Sequence, residues 1–284
     1  MVRMSAPAGG RGGLRPSRRR RALGQNFLTN LAAADRIVDL FDPAPGRPVL
    51  EIGPGEGVLT SRLLARGAVV VAVEKDERLA EKLAGRWGPP EGFHLHAGDA
   101  AREDLGALLG PHLGGGRAGV LSNLPYSMGT EILVHLLRHA SLLDRIVVML
   151  QREVADRICE GPGSRVYGAI SVLTQYYTEP RRIMTLEPGS FTPPPMVRSA
   201  VIRMPFRERR EIPPQAEGAY AAFILAAFHS RRRTLPHNLA PAWGCAAPEA
   251  AGRIRACGID PGRRPESLAR EEFVTLFLAG AAGL

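Results

Sequence analysis

The sequence predicts an α/β protein in which a parallel sheet is wound on both faces by helices and followed by a small helical unit. Three observations carry this expectation. From about Pro48, short apolar runs alternate with helical stretches, as strands buried on both faces do. A glycine-rich loop directly follows the first apolar run. After "MPFRERREIPP" the composition turns alanine-rich with helical periodicity, and no strand-like alternation returns.

The elements follow in order. "PVLEI", "AVVVAVE", "FHLHA", "AGVLSN" and "RIVVML" are expected strands, as are the later "RRIMTL" and "VRSAVIRM". Helices are expected near residues 59–65, 77–86, 130–138 and 152–159, and "CEGPGSRVYGAISV" reads as a structural loop ordered against the sheet. "EGAYAAFILAAFHSRRRTLPHNL", "PEAAGRIRACGI" and "SLAREEFVTLF" are the helical material beyond it. A boundary near 206–214 leaves a flexible basic tail over residues 1–20, a sheet domain over 21–206 and a helical C-terminal domain over 207–284. In a doubly wound sheet the ligand crevice lies at the carboxyl ends of the strands.

The chain has 284 residues, enough for a sizeable core, and no apolar run approaches the roughly 20 residues that span a bilayer, so no membrane partner is expected. Its formal charge of +9 is unevenly spread: seven arginines lie in the first 21 residues, with no acid before Asp35. Total charge is therefore weak evidence for a nucleic-acid partner, and local clusters must carry that argument. Lys75 and Lys82 are the only lysines in an otherwise arginine-using chain. Cys159, Cys245 and Cys257 are too widely spaced for a Cys-x-x-Cys zinc site, which points to a reducing, cytoplasmic compartment and no metal. The start "SAPAGGRGGLRPSRRRR" lacks the apolar core of a signal peptide; a mitochondrial transit peptide is the alternative to a basic tail.

In "VLEIGPGEG" an apolar strand runs into Gly53, Gly55 and Gly57, where the absence of a Cβ permits a sharp turn and close approach to a ligand. Glu74 ends the next strand, where an acid accepts both ribose hydroxyls of a nucleotide-like cofactor. The spacing Gly-x-Gly-x-Gly differs from the dinucleotide fingerprint, so a cofactor with ribose and no phosphate fits better. Asp99, ending the third strand, is placed to accept from an adenine amino group. The set Gly53, Gly55, Glu74 and Asp99 points to S-adenosylmethionine; an ordinary turn with two solvated acids is the plainer reading of any one of them.

"SNLPYS" ends the fourth strand, where a methyl acceptor should sit. An exocyclic adenine nitrogen is a poor nucleophile because its lone pair is delocalised into the ring. Two acceptors aimed at the amino hydrogens, the Asn123 side-chain oxygen and the Leu124 carbonyl, would favour the charge that develops as nitrogen attacks. Pro125 fixes the turn, and Tyr126 offers a ring face for a splayed-out base. A buried Asn-Pro-Tyr corner is the purely structural alternative.

"ALGQNFLTN", "VLEIGPGEG", "NLPYS", "QREVADRI", "YGAISVLTQYY", "GSFTPPPMVRSAV", "RRRTLPHNL" and "GIDPGRRPESLAREEF", in this order, closely resemble the small-subunit ribosomal RNA adenine dimethyltransferase family, from about residue 21 to residue 277. The resemblance implies a Rossmann-like class I S-adenosylmethionine-dependent methyltransferase sheet with a small C-terminal helical domain. It also implies N6,N6-dimethyladenosine formation at two adjacent adenosines in the 3′-terminal hairpin of 16S ribosomal RNA, with the small ribosomal subunit as partner of a monomeric enzyme. By resemblance Gln25, Asn26 and Leu28 would line the cofactor's methionine end, and Phe191 would sandwich the target base with Tyr126.

Two departures stand out. Ser127, Met128, Gly129 and Thr130 replace the family's usual Asn-Ile-Ser-Thr, and Glu56 occupies a usually apolar position, either beside the sulfonium or facing water. Arg231, Arg232 and Arg233 are expected to open a helix and, with Arg18 to Arg21, are the phosphate-binding candidates; a solvated charge run is the alternative. The related macrolide-resistance family, which methylates large-subunit RNA, shares the fold and clamp but usually has Ser at the position of Gly24. DNA adenine methyltransferases typically carry proline in place of Leu124. A non-catalytic assembly factor is the reading from another class.

Overall fold

Runs of valine, leucine and isoleucine that are buried along their length build the centre of the molecule. The computed structural model describes residues 26–230 and 232–281; the expected tail, Gln25 and Arg231 lie outside the described residues. The chain runs through β1 (Phe27–Leu28), α1 (Leu31–Phe41), β2 (Pro48–Ile52), α2 (Val58–Ala65), β3 (Val69–Glu74), α3 (Glu77–Ala84), β4 (Phe93–Ala97), α4 (Leu105–Leu113), β5 (Ala118–Asn123), α5 (Gly129–Arg138), β6 (Leu143–Gln151) and α6 (Arg152–Cys159). It continues through α7 (Ala169–Tyr177), β7 (Arg181–Leu186), β8 (Phe191–Thr192) and β9 (Ser199–Pro205), and then α8 (Glu217–Ala227), α9 (Leu235–Leu239), α10 (Ala247–Ala256) and α11 (Arg270–Ala281).

The seven-stranded sheet has the order β4-β3-β2-β5-β6-β9-β7. From β2 the chain steps outward through β3 to β4, then returns to β5 on the other side of β2 and continues to β6. That reversal between β2 and β5 creates a crevice at their carboxyl ends. Apolar side chains cover both faces of the sheet. Leu50, Val120 and Ile146 pack with α4, α5 and α7 on one side; Val49, Leu121 and Val147 pack with α1 and α2 on the other. Short polar caps start the flanking helices: the Asn30 side chain accepts from Ala33 N at 3.0 Å, and Asp104 accepts from Gly106 N at 2.8 Å.

The structure departs from the sequence expectation in four places. The sheet is mixed, because β9 runs antiparallel to both β6 and β7. The link from β7 to β9 holds no α-helix to carry the chain back to the other end of the sheet, so the next strand must run the opposite way. The segment read as a loop, "CEGPGSRVYGAISV", is loop only to Gly168 and then enters α7, whose apolar residues close over the sheet. Helices α1 and α4 were not anticipated. The stretch from Glu217 to Leu239 is broken: Thr234 precedes α9 and Pro236 lies in its first turn, so Arg232 and Arg233 sit in a turn rather than at a helix start.

Beyond β9 the described chain is helical, and its attachment is aromatic. Tyr176 of α7 packs against Tyr220 of α8 with ring centroids 4.7 Å apart, and Tyr220 meets Phe277 of α11 at 5.4 Å. Such tilted and edge contacts add to the apolar area they bury.

Candidate functional site

The crevice at the switch point is a cavity of about 310 Å³. Strand ends supply its walls: Ile52 and Gly53 after β2, Val73 and Glu74 from β3, Gly98 and Asp99 after β4, and Asn123 through Met128 after β5. Consecutive parallel strands deliver their terminal residues to one rim, which is why residues far apart in sequence meet there.

The glycine loop makes the first wall. Gly53 and Gly55 have φ of 62° and 60°, a region that side-chain-bearing residues avoid. A Cβ at Gly55 would lie 2.9 Å from Cδ1 of Phe27, whose ring lines the cavity. Gly55 N donates to Glu74 Oε2 at 3.1 Å, and Asp76 N donates to Oε1 at 2.9 Å. Glu74 is buried, and its carboxyl is pushed upward by that burial, with the two amides opposing the shift. A carboxylate only accepts, so a diol at this wall would meet Glu74 as the donor. Asp99 behaves differently: Lys75 Nζ donates to Oδ2 at 2.7 Å and Ala101 N to Oδ1 at 3.2 Å. The hydrogen bond from Lys75 holds its carboxyl below the usual range, against a smaller opposing effect of burial.

The tetrapeptide after β5 makes the opposite wall. Asn123 Nδ2 donates to the Asn26 carbonyl at 3.0 Å. A carbonyl can only accept, so this bond orients the amide and leaves Oδ1 without a donor among the described residues. Leu124 N donates to Met149 O at 3.2 Å, while the Leu124 carbonyl likewise receives no donor among the described residues. The Tyr126 hydroxyl is hydrogen-bonded to Ser199 Oγ, and burial pushes the phenol upward, keeping it neutral. Ser127 and Met128 line the cavity, and Met128 N donates to Pro125 O at 3.1 Å. Gly129 packs closely: a Cβ there would lie 2.8 Å from Leu150 Cδ2.

Asn26, Gly53, Gly55, Glu74, Asp99, Asn123, Leu124 and Tyr126 are thus brought together. Leu28 is not on the main cavity: it is buried beneath it and borders an annex of about 30 Å³ with Phe27, Glu51 and Asn123. Phe191 is also held away. Leu28 and Phe191 are direct partners in the antiparallel β1–β8 pair, and Phe191 is only 2 % exposed, so the described geometry does not sandwich a base between it and Tyr126. Arg232 and Arg233 are exposed, on the helical part of the chain. Glu56 lies 3.6 Å from Lys82 at the surface, the water-facing alternative for that residue.

Sequence reasoning missed Phe27 and Lys75. Strand alternation points Phe27 and Leu28 to opposite sides, a signal that separates the cavity residue from the core residue. Lys75 was visible as one of two lysines, directly after Glu74. Glu51 was also passed over. It is 1 % exposed, its Oε2 accepts from Thr60 Oγ1 at 2.7 Å, and burial pushes its carboxyl up to about 8.

Sheet order, a positive-φ glycine loop and acids at successive strand ends define a class I S-adenosylmethionine-dependent methyltransferase. The comparisons narrow this class. A family described as ribosomal RNA adenine dimethylase matches residues 17–279. The ribosomal RNA small subunit methyltransferase A of Acidobacterium capsulatum is 40% identical over 256 residues, covering 90% of this chain and 89% of that protein. Its Geobacter metallireducens namesake is 39% identical, covering 91% and 94%. The chain belongs to the ribosomal RNA adenine dimethylase family.

Solved structures agree on the fold. A dimethyladenosine transferase from Plasmodium falciparum aligns with TM-score 0.73 at 20% identity, covering 90% of this chain and 98% of that one. The 23S rRNA methyltransferase ErmE aligns with TM-score 0.66 at 22% identity, covering 90% and 100%. No helix among the described residues is long and apolar enough to cross a membrane.

Proposed function

We propose that the protein transfers methyl groups from S-adenosylmethionine to N6 of two adjacent adenosines in the 3′-terminal hairpin of small-subunit ribosomal RNA, giving N6,N6-dimethyladenosine during subunit maturation. The observation that carries this reading is the turned Asn123 amide. Asn26 occupies its nitrogen, so its oxygen and the Leu124 carbonyl are the acceptors left at the cavity wall beside the Tyr126 ring.

The donor set fits the cofactor. Glu74, an acceptor on the cavity wall, takes the ribose hydroxyls. Asp99 is held ionised to accept from the adenine amino group. Gly53 and Gly55 let the backbone close on the ligand, with Asn26 and the Phe27 ring toward the methionine end. When bound, S-adenosylmethionine supplies an electrophilic methyl group on a sulfonium.

The chain's own residues prepare the acceptor. Asn123 Oδ1 and the Leu124 carbonyl take the two amino hydrogens and draw the nitrogen lone pair out of the ring, an interaction stronger in the transition state than in the ground state. Tyr126, a neutral phenol fixed through Ser199, supports the extruded base by stacking. The amine loses its proton to water after transfer, so no strong base is required. After the first transfer one hydrogen remains, and one of the two acceptors suffices to orient the nitrogen again.

The proposal includes the finer assignments. Residues 21–206 form the methyltransferase domain and 207–284 a helical domain that meets RNA phosphates through Arg232 and Arg233; the protein acts as a cytoplasmic monomer on the small subunit. Replacing both arginines with alanine should reduce the slope of log affinity against log salt by about two, because each phosphate contact contributes roughly 0.9. An unchanged slope removes them from the interface.

The deciding experiment incubates purified protein and S-adenosylmethionine with unmethylated small subunits and, in parallel, with protein-free large-subunit RNA, and identifies methylated nucleosides by mass spectrometry. Dimethyladenosine from the small subunit alone is expected. Product from large-subunit RNA would instead support the resistance-type activity, and tight subunit binding without product would support a non-catalytic assembly role.

A further inference from the structure

Among the described residues five large apolar side chains are exposed: Leu31, Met196, Val197, Leu225 and Leu278. Only Met196 and Val197 are consecutive, and Met196 is fully exposed at 101 %. They form the tip of the loop that joins β8 to β9, after the three prolines Pro193, Pro194 and Pro195.

The loop is tied down at both roots. On the entering side, Ser190 O accepts from Thr29 N at 2.9 Å and from Asn30 N at 3.2 Å, and Phe191 pairs with Leu28. On the leaving side, Arg198 O accepts from Arg152 N at 2.9 Å, and Arg198 Nε lies 3.0 Å from Glu187 Oε1. Ser199 is paired with Gln151 at the carboxyl end of β6 and bonds the Tyr126 hydroxyl. The loop therefore springs from the sheet edge that carries the cavity, with one root bonded to the cavity's aromatic wall. Proline fixes its own φ and restricts the residue before it, so the tip has few ways to fold back and bury its methionine.

We propose that Met196 and Val197 form an apolar wedge that packs against the base faces exposed when the target adenosine leaves its stack. The inference rests on the adenine-methylating reading above and names a contact within it. Extruding a base leaves a gap one base thick and uncovers the faces of its neighbours, and proteins fill such gaps with apolar side chains, methionine among them. Methionine suits the task because its unbranched thioether adapts its shape and favours aromatic contacts.

The test compares Met196→Ser with the conservative Met196→Leu on unmethylated small subunits, measuring dimethyladenosine formation, S-adenosylmethionine affinity and thermal stability. Met196→Ser should lower kcat/KM about tenfold, the scale of a lost base contact, while Met196→Leu stays near wild type and neither changes cofactor affinity or stability. A wild-type rate in Met196→Ser overturns the proposal, and so does a matching loss of cofactor affinity or stability. A photo-cross-linking amino acid at position 196 supplies an independent reading. Attachment to ribosomal RNA beside the modified adenosines supports the wedge; attachment only to a ribosomal protein or to a second copy of this chain overturns it. Should the wild-type protein form no product, the methylation reading fails by itself, and the cross-link still decides whether the loop meets RNA.

Discussion

At one end of the cavity the carboxylates are already bonded: Glu74 takes the Gly55 and Asp76 amides, and Asp99 takes Lys75 and Ala101. At the other end the Asn123 amide is anchored by its nitrogen and presents an oxygen with no donor among the described residues. Groups that hold a ground state are best fixed in advance, because each bond already made removes a rotamer that binding would otherwise have to freeze. Groups that act on a developing charge must keep their lone pairs for it.

The contrast is broken most sharply at its open end. Asn123→Ala should lower single-turnover methyl transfer at least about a hundredfold, the scale of losing one electrostatic partner at a transition state, while binding of small subunits persists. Equal losses in RNA binding and turnover would show that Asn123 holds the substrate and does not activate it. At the prepared end, Gly55→Ala puts a side chain at positive φ and against the Phe27 ring. It should cost more than about 1 kcal/mol of stability and weaken S-adenosylmethionine binding in isothermal titration. Unchanged affinity would mean that the loop does not approach the cofactor closely.

The prepared end was also the more legible in sequence. Strands buried on both faces announce themselves as apolar runs, and an acid closing such a run falls at the rim by construction, which was enough for Glu74; Asp99, two residues past the half-buried edge strand β4, followed from the order of strand ends. Strand direction carries no such mark, so β9 was misread as parallel. Bonds across long sequence separations were equally silent: Asn26 with Asn123 spans 97 residues, and Lys75 with Asp99 spans 24. The turn that brings Asn123 through Tyr126 to the cavity wall was legible from proline chemistry. The burial of Phe191 was not, because a core phenylalanine and a stacking one look alike until the β1–β8 pairing buries one of them.

Glu51 sharpens the comparison from beneath the glycine loop. Burial pushes its folded-state carboxyl up to about 8, above the ordinary value of 4.5, so between those values the folded protein holds a proton that the unfolded chain has released. Stability must then fall as pH rises through that window, by up to about 1.4 kcal/mol per pH unit for one proton. Glu51→Gln keeps an acceptor for Thr60 and carries no charge. Denaturant melts from pH 5 to pH 8 should therefore lose this component of the slope in the variant. Identical slopes in the two proteins would show that Glu51 is ionised in the fold.

The smallest effect is expected at Lys75, whose side chain acts on the prepared end through its ion pair with Asp99. The hydrogen bond from Lys75 is the largest cause of the depressed Asp99 carboxyl, so wild-type Asp99 stays an acceptor as pH falls and is lost only below the ordinary carboxylate range. In Lys75→Leu the carboxyl returns toward that range. Cofactor affinity should then match wild type near pH 7 and weaken earlier on acidification, a modest change because Lys75 is 55 % exposed and the pair is screened by water. Titrations at pH 7 and near pH 4, where an ordinary aspartate carboxyl is about half protonated, separate the possibilities. Equal loss at both values would mean that Lys75 contacts the cofactor directly, and no loss at either would mean that Asp99 needs no help to hold its charge.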